Sequence, residues 1–245
     1  MQFELITLLP EIFEALKSGI IGRAVANQLI QYRCWNPRDY ASGSYRKVDD
    51  QPYGGGAGLV MMVKPLLAAI EAATAAATTP LTLIYLTPQG ERLNNQMAIE
   101  LSQCERIGFV CGRYEGFDER IFALAPGREL SIGDYVLSGG EFAALVAIDA
   151  ISRQLPGVVG DFASVTEDSF YHGIFDYPQY TRPREIFGHK VPEVLLNGNH
   201  REIARWRRKQ ALARTFSRRP EVFSQIKLTS TDRMLLNEFL EEESS

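Results

Sequence analysis

Cysteine and histidine are scarce in this 245-residue chain, with three residues of each type. Cys34, Cys104 and Cys111 form no CxxC pair, and their odd number gives no disulfide framework, so we expect reduced thiols. The histidines are scattered singly along the chain, which argues against a structural zinc site. The sequence therefore indicates neither a disulfide-stabilised secreted protein nor a zinc protein, and we expect no bound structural metal.

Long hydrophobic runs and export signals are also missing. No apolar run reaches the roughly 18 residues of a membrane span, and the first residues lack the basic start and the small-residue cleavage site of a signal peptide. Hydrophobic residues make up 45% of the chain and charged residues 23%, which is typical of a soluble globular protein. We therefore expect a cytoplasmic location and no membrane partner.

Positive charge is concentrated in one segment of an otherwise acidic chain. The net charge is −4, but residues 201–219 hold eight basic residues against Glu202 alone, a net charge of +7, so the rest of the chain carries −11. A strongly basic segment on an acidic protein can steer a polyanion to one face. A basic helix that is merely solvated is the alternative interpretation.

Three segments share one plan, in which an apolar strand-like run ends in a polar loop that contains glycine. They are residues 81–90, 106–116 and 130–140, and helix-like segments separate them. This alternation predicts an α/β domain with a mostly parallel sheet. Ligands of open α/β sheets bind beyond the carboxyl ends of the strands, so we expect the three loops to form one binding site.

The region before these segments lacks regular patterning. Residues 38–58 show almost no apolar periodicity and predict a long, flexible surface loop. Its glycine run lacks both the Lys-Ser/Thr of a phosphate-binding loop and the G-x-G-x-x-G spacing of a dinucleotide site. We favour a loop that contacts substrate over a plain flexible one.

The remaining pattern divides the chain into domains. We predict a catalytic α/β domain over residues 1–160, a flexible linker over 161–176 and a helical domain over 177–245. In the last of these, Asn199 and Glu202 resemble a capping box, which predicts the start of a basic helix.

Six motifs follow one another in a fixed order: Tyr53-Gly-Gly-Gly, Cys111-Gly-Arg-Tyr-Glu-Gly116, Ser131-Ile-Gly-Asp-Tyr-Val-Leu-Ser-Gly-Gly-Glu141, Arg153-Gln-Leu-Pro-Gly157, Thr166-Glu-Asp-Ser-Phe170 and Tyr180-Thr-Arg-Pro183. Together they resemble the bacterial tRNA (guanine-N1)-methyltransferases that modify guanosine 37, over about residues 1–225. The resemblance implies the SPOUT class, with a deep trefoil knot in the mostly parallel sheet, a small C-terminal helical domain and a homodimer. Knots are too rare for patterning alone to predict one.

The resemblance also implies S-adenosylmethionine as cofactor, held by the three loops. The backbone of Ile132, Tyr135 and Leu137 is expected to face the adenine, and Gly140 the ribose. The whole expected set is Tyr85, Leu86, Thr87, Pro88, Gln89, Gly112, Arg113, Tyr114, Glu115, Gly116, Ser131, Ile132, Gly133, Tyr135, Val136, Leu137, Ser138, Gly139 and Gly140.

By the same resemblance, Arg153 and Asp168 are the catalytic pair, contributed from both subunits. Because guanine N1 carries a proton at neutral pH, we expect Asp168 to remove that proton and Arg153 to stabilise the charge that builds on O6. A magnesium ion near Glu115 and Asp168 is a further implication. The expected tRNA contacts are Asp49, Asp50, Gly55, Gly58, Arg182, Asn199, Arg205, Arg207, Arg208 and Arg214.

Other interpretations stay open at this point. Asp168 also suits a solvated loop or a helix cap, Arg153 a helix end, and residues 111–116 a tight turn with solvated charges. The rival functions are methylation of another RNA position, an RNA-binding module without catalysis, and a dinucleotide-dependent dehydrogenase, which the missing glycine fingerprint disfavours.

Overall fold

The computed structural model describes residues 1–243, and the chain divides into two compact units, Met1–Phe162 and Ala163–Ser245. The domain and linker boundaries expected from the sequence stay predictions. No helix within residues 1–243 is long and apolar enough to cross a membrane. The strands are β1 Gln2–Ile6, β2 Gln31–Trp35, β3 Asp49–Asp50, β4 Val60–Met61, β5 Thr82–Arg92, β6 Arg106–Cys111, β7 Arg128–Ser131, β8 Glu185–Ile186 and β9 His189–Lys190.

A five-stranded sheet in the order β2-β1-β6-β5-β7 forms the centre of the first unit, and every neighbouring pair in it is parallel. The predicted α/β class with a parallel sheet is therefore confirmed, whereas the knot stays a prediction. Because all five strands run in one direction, their carboxyl ends lie at the same edge.

Helices cover both faces of this sheet. They are α1 Gly19–Ala26, α2 Val63–Ala75, α3 Asn95–Leu101, α4 Arg120–Leu124 and α5 Glu141–Ser152. The helices of the second unit are α6 Ala163–Thr166, α7 His200–Arg218, α8 Pro220–Phe223 and α9 Ser230–Glu243. Short 3₁₀ helices span Pro10–Lys17, Pro37–Tyr40 and Glu193–Leu195. One apolar core lies among the sheet, α1, α3 and α5, and a second among the sheet, α2 and α4.

A buried ion pair joins three strands of the sheet. Glu4 of β1 accepts hydrogen bonds from Arg106 Nε of β6 at 2.9 Å and from Trp35 Nε1 of β2 at 2.5 Å. The Glu4 side chain is fully buried and that of Arg106 nearly so. Arg106 also donates to the carbonyls of Thr74 and Thr79 at 3.2 and 3.3 Å. The buried charges are therefore paired and hydrogen-bonded, as a dry interior requires.

The strand of the segment 81–90 is longer than the sequence indicates. The segment is expected to end in a polar loop, with residues 85–89 at the cofactor, but β5 continues to Arg92. Leu86 pairs with Leu130 of β7, and so does Glu91, so that the intervening residues bulge out of the ladder. Such a bulge bends the strand and re-aims side chains.

The expected long loop over residues 38–58 is also partly ordered. The 3₁₀ helix Pro37–Tyr40 overlaps its start, and β3 within it pairs antiparallel with β4, which follows it. Val48 is buried in the second core. Sparse apolar periodicity concealed these elements because each is only two to four residues long.

In the second unit, α7 and α9 pack around a small core that includes Leu212 and Leu235. Half of the predicted capping box is present, since Asn199 Oδ1 accepts from the Glu202 N–H, whereas the Asn199 N–H donates to Asn197 Oδ1 and not to Glu202. The expected exposed basic surface is reduced by ion pairs: Arg208 binds Asp232 at 2.7 Å, Lys209 binds Glu242 at 2.7 Å and Arg205 binds Glu238. Part of the local +7 charge is therefore neutralised within the unit.

Asp232 makes the stability of this unit dependent on pH. Its carboxylate accepts hydrogen bonds from Arg208 and from the N–H and hydroxyl of Thr229. These hydrogen bonds, that from Arg208 above all, lower the pKa of Asp232 to about 2. A carboxyl whose pKa is lowered on folding adds stability above its unfolded pKa, and that stability is lost as the pH falls through the folded value.

We expect Asp232→Asn to lower the free energy of unfolding by about 2 kcal/mol at pH 7. The difference from the wild-type chain should shrink between about pH 4 and pH 2, as measured by urea unfolding followed through tryptophan fluorescence. Asp39→Asn, which removes an exposed pair with Arg46, serves as the control and should change little. A pH-independent difference would contradict the assignment.

Candidate ligand-binding site

A cavity of about 450 Å³ opens at the carboxyl edge of the sheet, and all of its lining belongs to the first unit. This volume is within the usual range for small-molecule sites. The lining residues are Leu86, Thr87, Pro88, Gln89, Gly112, Arg113, Tyr114, Glu115, Gly116, Phe117, Glu119, Phe122, Glu129, Leu130, Ser131, Ile132, Gly133, Tyr135, Val136, Leu137, Ser138, Gly139, Gly140 and Ala143. The three predicted loops therefore do converge.

The first wall is the bulge of β5. Thr87, Pro88 and Gln89 leave the ladder there, and the Gln89 N–H bonds the Thr87 hydroxyl at 3.3 Å. Gly90 brings the chain back against β7, where a Cβ would collide with the backbone of Glu129 and Leu130. Glycine is needed at this position because the two backbones touch.

The second wall is the loop Gly112–Gly116 after β6. The Glu115 N–H donates to Leu59 O, and Gly116 O accepts from Met61 N–H, both at 2.9 Å. Tyr114 has a φ of +60°, a left-handed conformation that is uncommon outside glycine and often marks functional sites. The loop is therefore held by backbone bonds that leave the Tyr114 side chain exposed.

The third wall, residues 131–140, is tied directly to the second. The Gly140 N–H donates to Gly112 O at 2.8 Å. A Cβ on Gly140 would lie 2.8 Å from Cys111 Cα and 3.0 Å from Gly112 N. These are backbone atoms that cannot move aside, so the two loops can meet only through glycine.

The cavity wall presents apolar and acidic side chains together. Tyr114, Tyr135 and Val136 are 45%, 54% and 84% exposed, and apolar surface left uncovered in a concave site is typical of ligand binding. Three carboxylates, Glu115, Glu119 and Glu129, also line the cavity, whereas the cation of Arg113 is paired with Glu141. The wall therefore suits a partly aromatic ligand with positive charge.

A reactive thiol is not part of this chemistry. Cys111 lies directly behind Gly140 and is buried. Burial, followed by the negative charge of Glu141, raises the pKa of its thiol well above the usual value. The thiol stays protonated near neutral pH, so a nucleophilic cysteine is excluded here.

Every residue expected to hold the cofactor lines the cavity except Tyr85. Its side chain is fully buried in the second core, on the face of the sheet opposite to that of its neighbours Ile84 and Leu86. The Tyr85 hydroxyl donates a hydrogen bond to Ala125 O at 2.7 Å. Strand alternation, which turns adjacent side chains to opposite faces, explains this placement.

The sequence analysis missed six lining residues: Phe117, Glu119, Phe122, Glu129, Leu130 and Ala143. Glu129 and Leu130 could have been found, since they immediately precede a predicted loop.

The two catalytic candidates belong to different units. Arg153 caps the carboxyl end of α5, whose 12 residues span roughly 18 Å from the cavity at Gly140. Asp168 belongs to the second unit, where it follows α6 and its N–H bonds Val165 O at 3.3 Å. The roles of both residues stay predictions.

The tRNA-binding candidates have individual structural roles. In the first unit, Asp50 pairs with Lys47 at 2.8 Å, and Gly58 lies so close to Glu115 that a Cβ would overlap that carboxyl group. In the second unit, Arg207 stacks over the Tyr177 ring at 4.5 Å. The other candidates are Asp49 in β3, Gly55 in the glycine loop, exposed Arg182, Asn199 at the cap of α7, and Arg205, Arg208 and Arg214 along α7.

The fold and the cavity define a class: α/β proteins that bind a small ligand where glycine loops follow parallel strands. Comparison with known proteins makes the assignment narrower. The family model of tRNA (guanine-1)-methyltransferase TrmD matches residues 1–225, and this chain belongs to that family.

Individual relatives are similar over nearly their whole length. The chain is 52% identical over 243 residues to a tRNA (guanine-N(1)-)-methyltransferase of Photorhabdus laumondii, covering 99% of this chain and 97% of the relative. The enzymes of the same name from Shewanella amazonensis and Yersinia pestis are each 51% identical, with 100% and 99% of this chain covered and 98% and 99% of the relative.

We expect Gly140→Ala to weaken binding of S-adenosylmethionine, the methyl donor that the family implies, by about five-fold or more, because overpacking costs about 1–3 kcal/mol. Gly140 has a φ of −76°, so the effect should be steric and not conformational. Isothermal titration measures it. Gly160→Ala, where the added Cβ meets open space, should bind normally, and normal binding by Gly140→Ala would refute the close approach.

Proposed function

We propose that this protein transfers a methyl group from S-adenosylmethionine to N1 of guanosine 37 in tRNA, next to the anticodon. The family assignment supports the reaction class. The observation that carries the proposal is the convergence of the three glycine loops on one cavity. A tRNA substrate is consistent with a cytoplasmic enzyme.

The cavity fits the proposed cofactor in chemistry as well as in size. Its aromatic and aliphatic wall at Tyr135, Val136 and Leu137 suits an adenine ring, and its carboxylates suit a cation. The cofactor supplies an electrophilic methyl group on a positively charged sulfur. Within residues 1–243, no group of three or more acidic, histidine or cysteine side chains is placed to hold a metal ion, so no step is assigned to Mg²⁺.

Guanine N1 requires activation before it can accept a methyl group. It is a lactam nitrogen that carries a proton at neutral pH, and a positioned carboxylate can remove that proton, which contributes roughly 10²–10⁴ to the rate. We assign this role to Asp168, an exposed residue in the segment after α6. The target base has to leave the stacked anticodon loop to reach it, as in other enzymes that act on bases.

Arg153 is assigned to the guanine O6. Negative charge builds on O6 as N1 loses its proton, and a guanidinium there stabilises the transition state more than the ground state. A direct ion pair with Asp168 would lower the aspartate pKa by about 1–3 units and weaken it as a base. Arg153 therefore contacts O6 during the reaction.

The length of α5 supports a homodimer. Its cavity end and Arg153 are roughly 18 Å apart, which is too far for Arg153 to serve the cavity of its own chain. On α5, Phe142, Val146, Asp149 and Arg153 follow the spacing of one helical face, and Phe142 and Val146 are 53% and 49% exposed. A second copy packed with its α5 antiparallel on this stripe brings its own Arg153 toward the cavity.

Transfer of a labelled methyl group to purified tRNA tests the function. We expect label in tRNA that carries G37 and none in tRNA with adenosine at position 37. Nucleoside analysis should recover 1-methylguanosine. Label at another position would favour a different RNA target, and cofactor binding without transfer would favour a non-catalytic RNA-binding module.

Asp168→Asn tests the mechanism within the same assay. It should abolish turnover and leave cofactor affinity nearly unchanged, because the role assigned to it is proton removal. Glu167→Gln is the matched control, since Glu167 is the neighbouring carboxylate and accepts from the Tyr177 hydroxyl. Equal losses in both variants would remove Asp168 as the base.

The ion pairs on α7 divide its arginines into two groups. Within residues 1–243, Arg207 and Arg214 form no ion pair, whereas Arg205 and Arg208 are paired with α9. We expect Arg214→Gln to weaken tRNA binding and to reduce the salt-dependence slope by about 0.7–0.9, measured by filter binding across salt concentrations. Arg205→Gln should change the slope less, because its charge is already neutralised. Equal slopes in the two variants would contradict this division.

A further inference from the structure

Glu141 is a buried carboxylate directly beside the cavity. It is the first residue of α5, immediately after Gly140, and its side chain is almost wholly buried. Both of its oxygens have partners: Oε1 accepts from the Thr7 hydroxyl at 3.0 Å and Oε2 from Arg113 at 3.1 Å. A carboxylate without water is stable only when it is paired in this way.

Arg113 is the cavity-facing member of this group. It lines the cavity with a side chain that is 24% exposed. Its backbone N–H contacts Met61 Sδ at 3.3 Å, and its backbone forms a bridge with Gly139. A Cβ on Gly139 would lie 2.5 Å from Glu141 Oε2 and 2.6 Å from Arg113 Nη1. The third loop therefore fits around the ion pair.

The pair determines the charge that a ligand meets. Arg113 is the cationic side chain of the cavity lining, beside the carboxylates of Glu115, Glu119 and Glu129. Because Glu141 neutralises Arg113, the guanidinium does not offset the negative charge of these three carboxylates. Without Glu141, the unpaired guanidinium of Arg113 would face the ligand from a partly buried position. There its repulsion of a positively charged ligand would be stronger than in water.

We propose that Glu141 is a positioning residue that holds and neutralises Arg113, so that the cavity accepts a positively charged sulfonium in preference to the neutral thioether left after methyl transfer. The inference rests on the proposed function, since it takes S-adenosylmethionine as the ligand. In this proposal, the Thr7 hydroxyl holds the other carboxylate oxygen of Glu141, Oε1, by its hydrogen bond.

Glu141→Gln tests the inference, because it removes the charge and keeps the size. Isothermal titration compares S-adenosylmethionine with S-adenosylhomocysteine, which differ by the methyl group and the positive charge. We expect the affinity for S-adenosylmethionine to fall by about ten-fold or more and that for S-adenosylhomocysteine to change by less than about three-fold. An equal loss for both ligands, or no loss for either, overturns the proposal.

Two further variants separate charge from folding. The double variant Arg113→Gln/Glu141→Gln has a neutral pair in place of the charged one. It should restore the wild-type ratio of the two affinities, and it can be measured even if Glu141→Gln alone fails to fold. Thr7→Val removes the hydrogen bond and keeps both charges, so the ratio should stay unchanged even where the melting temperature falls. A double variant without the restored ratio overturns the proposal. If the wild-type chain binds neither ligand, the proposed function itself fails.

Discussion

The contact between Gly112 and Gly140 is the constraint on which the site depends. One hydrogen bond of 2.8 Å joins the loop after β6 to the start of α5, and it forms only because Gly140 carries no side chain, since a Cβ there would collide with the backbone of Cys111 and Gly112. The contact fixes where α5 begins and therefore where Glu141 enters the interior. The same glycines that permit close approach to a ligand thus first permit the close approach of two backbones.

The bulge in β5 completes the cavity by a related device. Residues 87–90 leave the ladder between two pairings with Leu130, and Gly90 returns the chain against β7. A regular strand would have continued past the edge with no room for a ligand. The cavity is therefore made by one interruption of the ladder and two loops, all on a sheet that is fixed by buried cores on both faces and by the Glu4–Arg106 pair.

Much of this arrangement could be predicted from sequence because it follows local rules. Alternation of strands and helices implies a parallel sheet, and glycine after a strand implies a ligand edge. The loops at Thr87, Tyr114 and Tyr135 do converge on one cavity, and their contacts with the cofactor stay predictions. Tyr85 does not line that cavity, since a resemblance carried over as a range ignores which face each strand residue takes. Phe117 and Phe122 escaped because they reach the cavity from beyond the loop motif, through tertiary packing that no short pattern records.

Charge was the least predictable property, for a physical reason. Composition counts Arg205, Arg208 and Lys209 toward a basic surface, yet carboxylates of α9 that lie 24–33 residues further along the chain neutralise them. The same error arises in the cavity, where Arg113 of the Gly112–Gly116 loop is paired with Glu141. In both places, the field that a ligand meets depends on pairings across long sequence separations. The electrostatics of tRNA and cofactor binding must therefore be argued from the folded contacts, residue by residue.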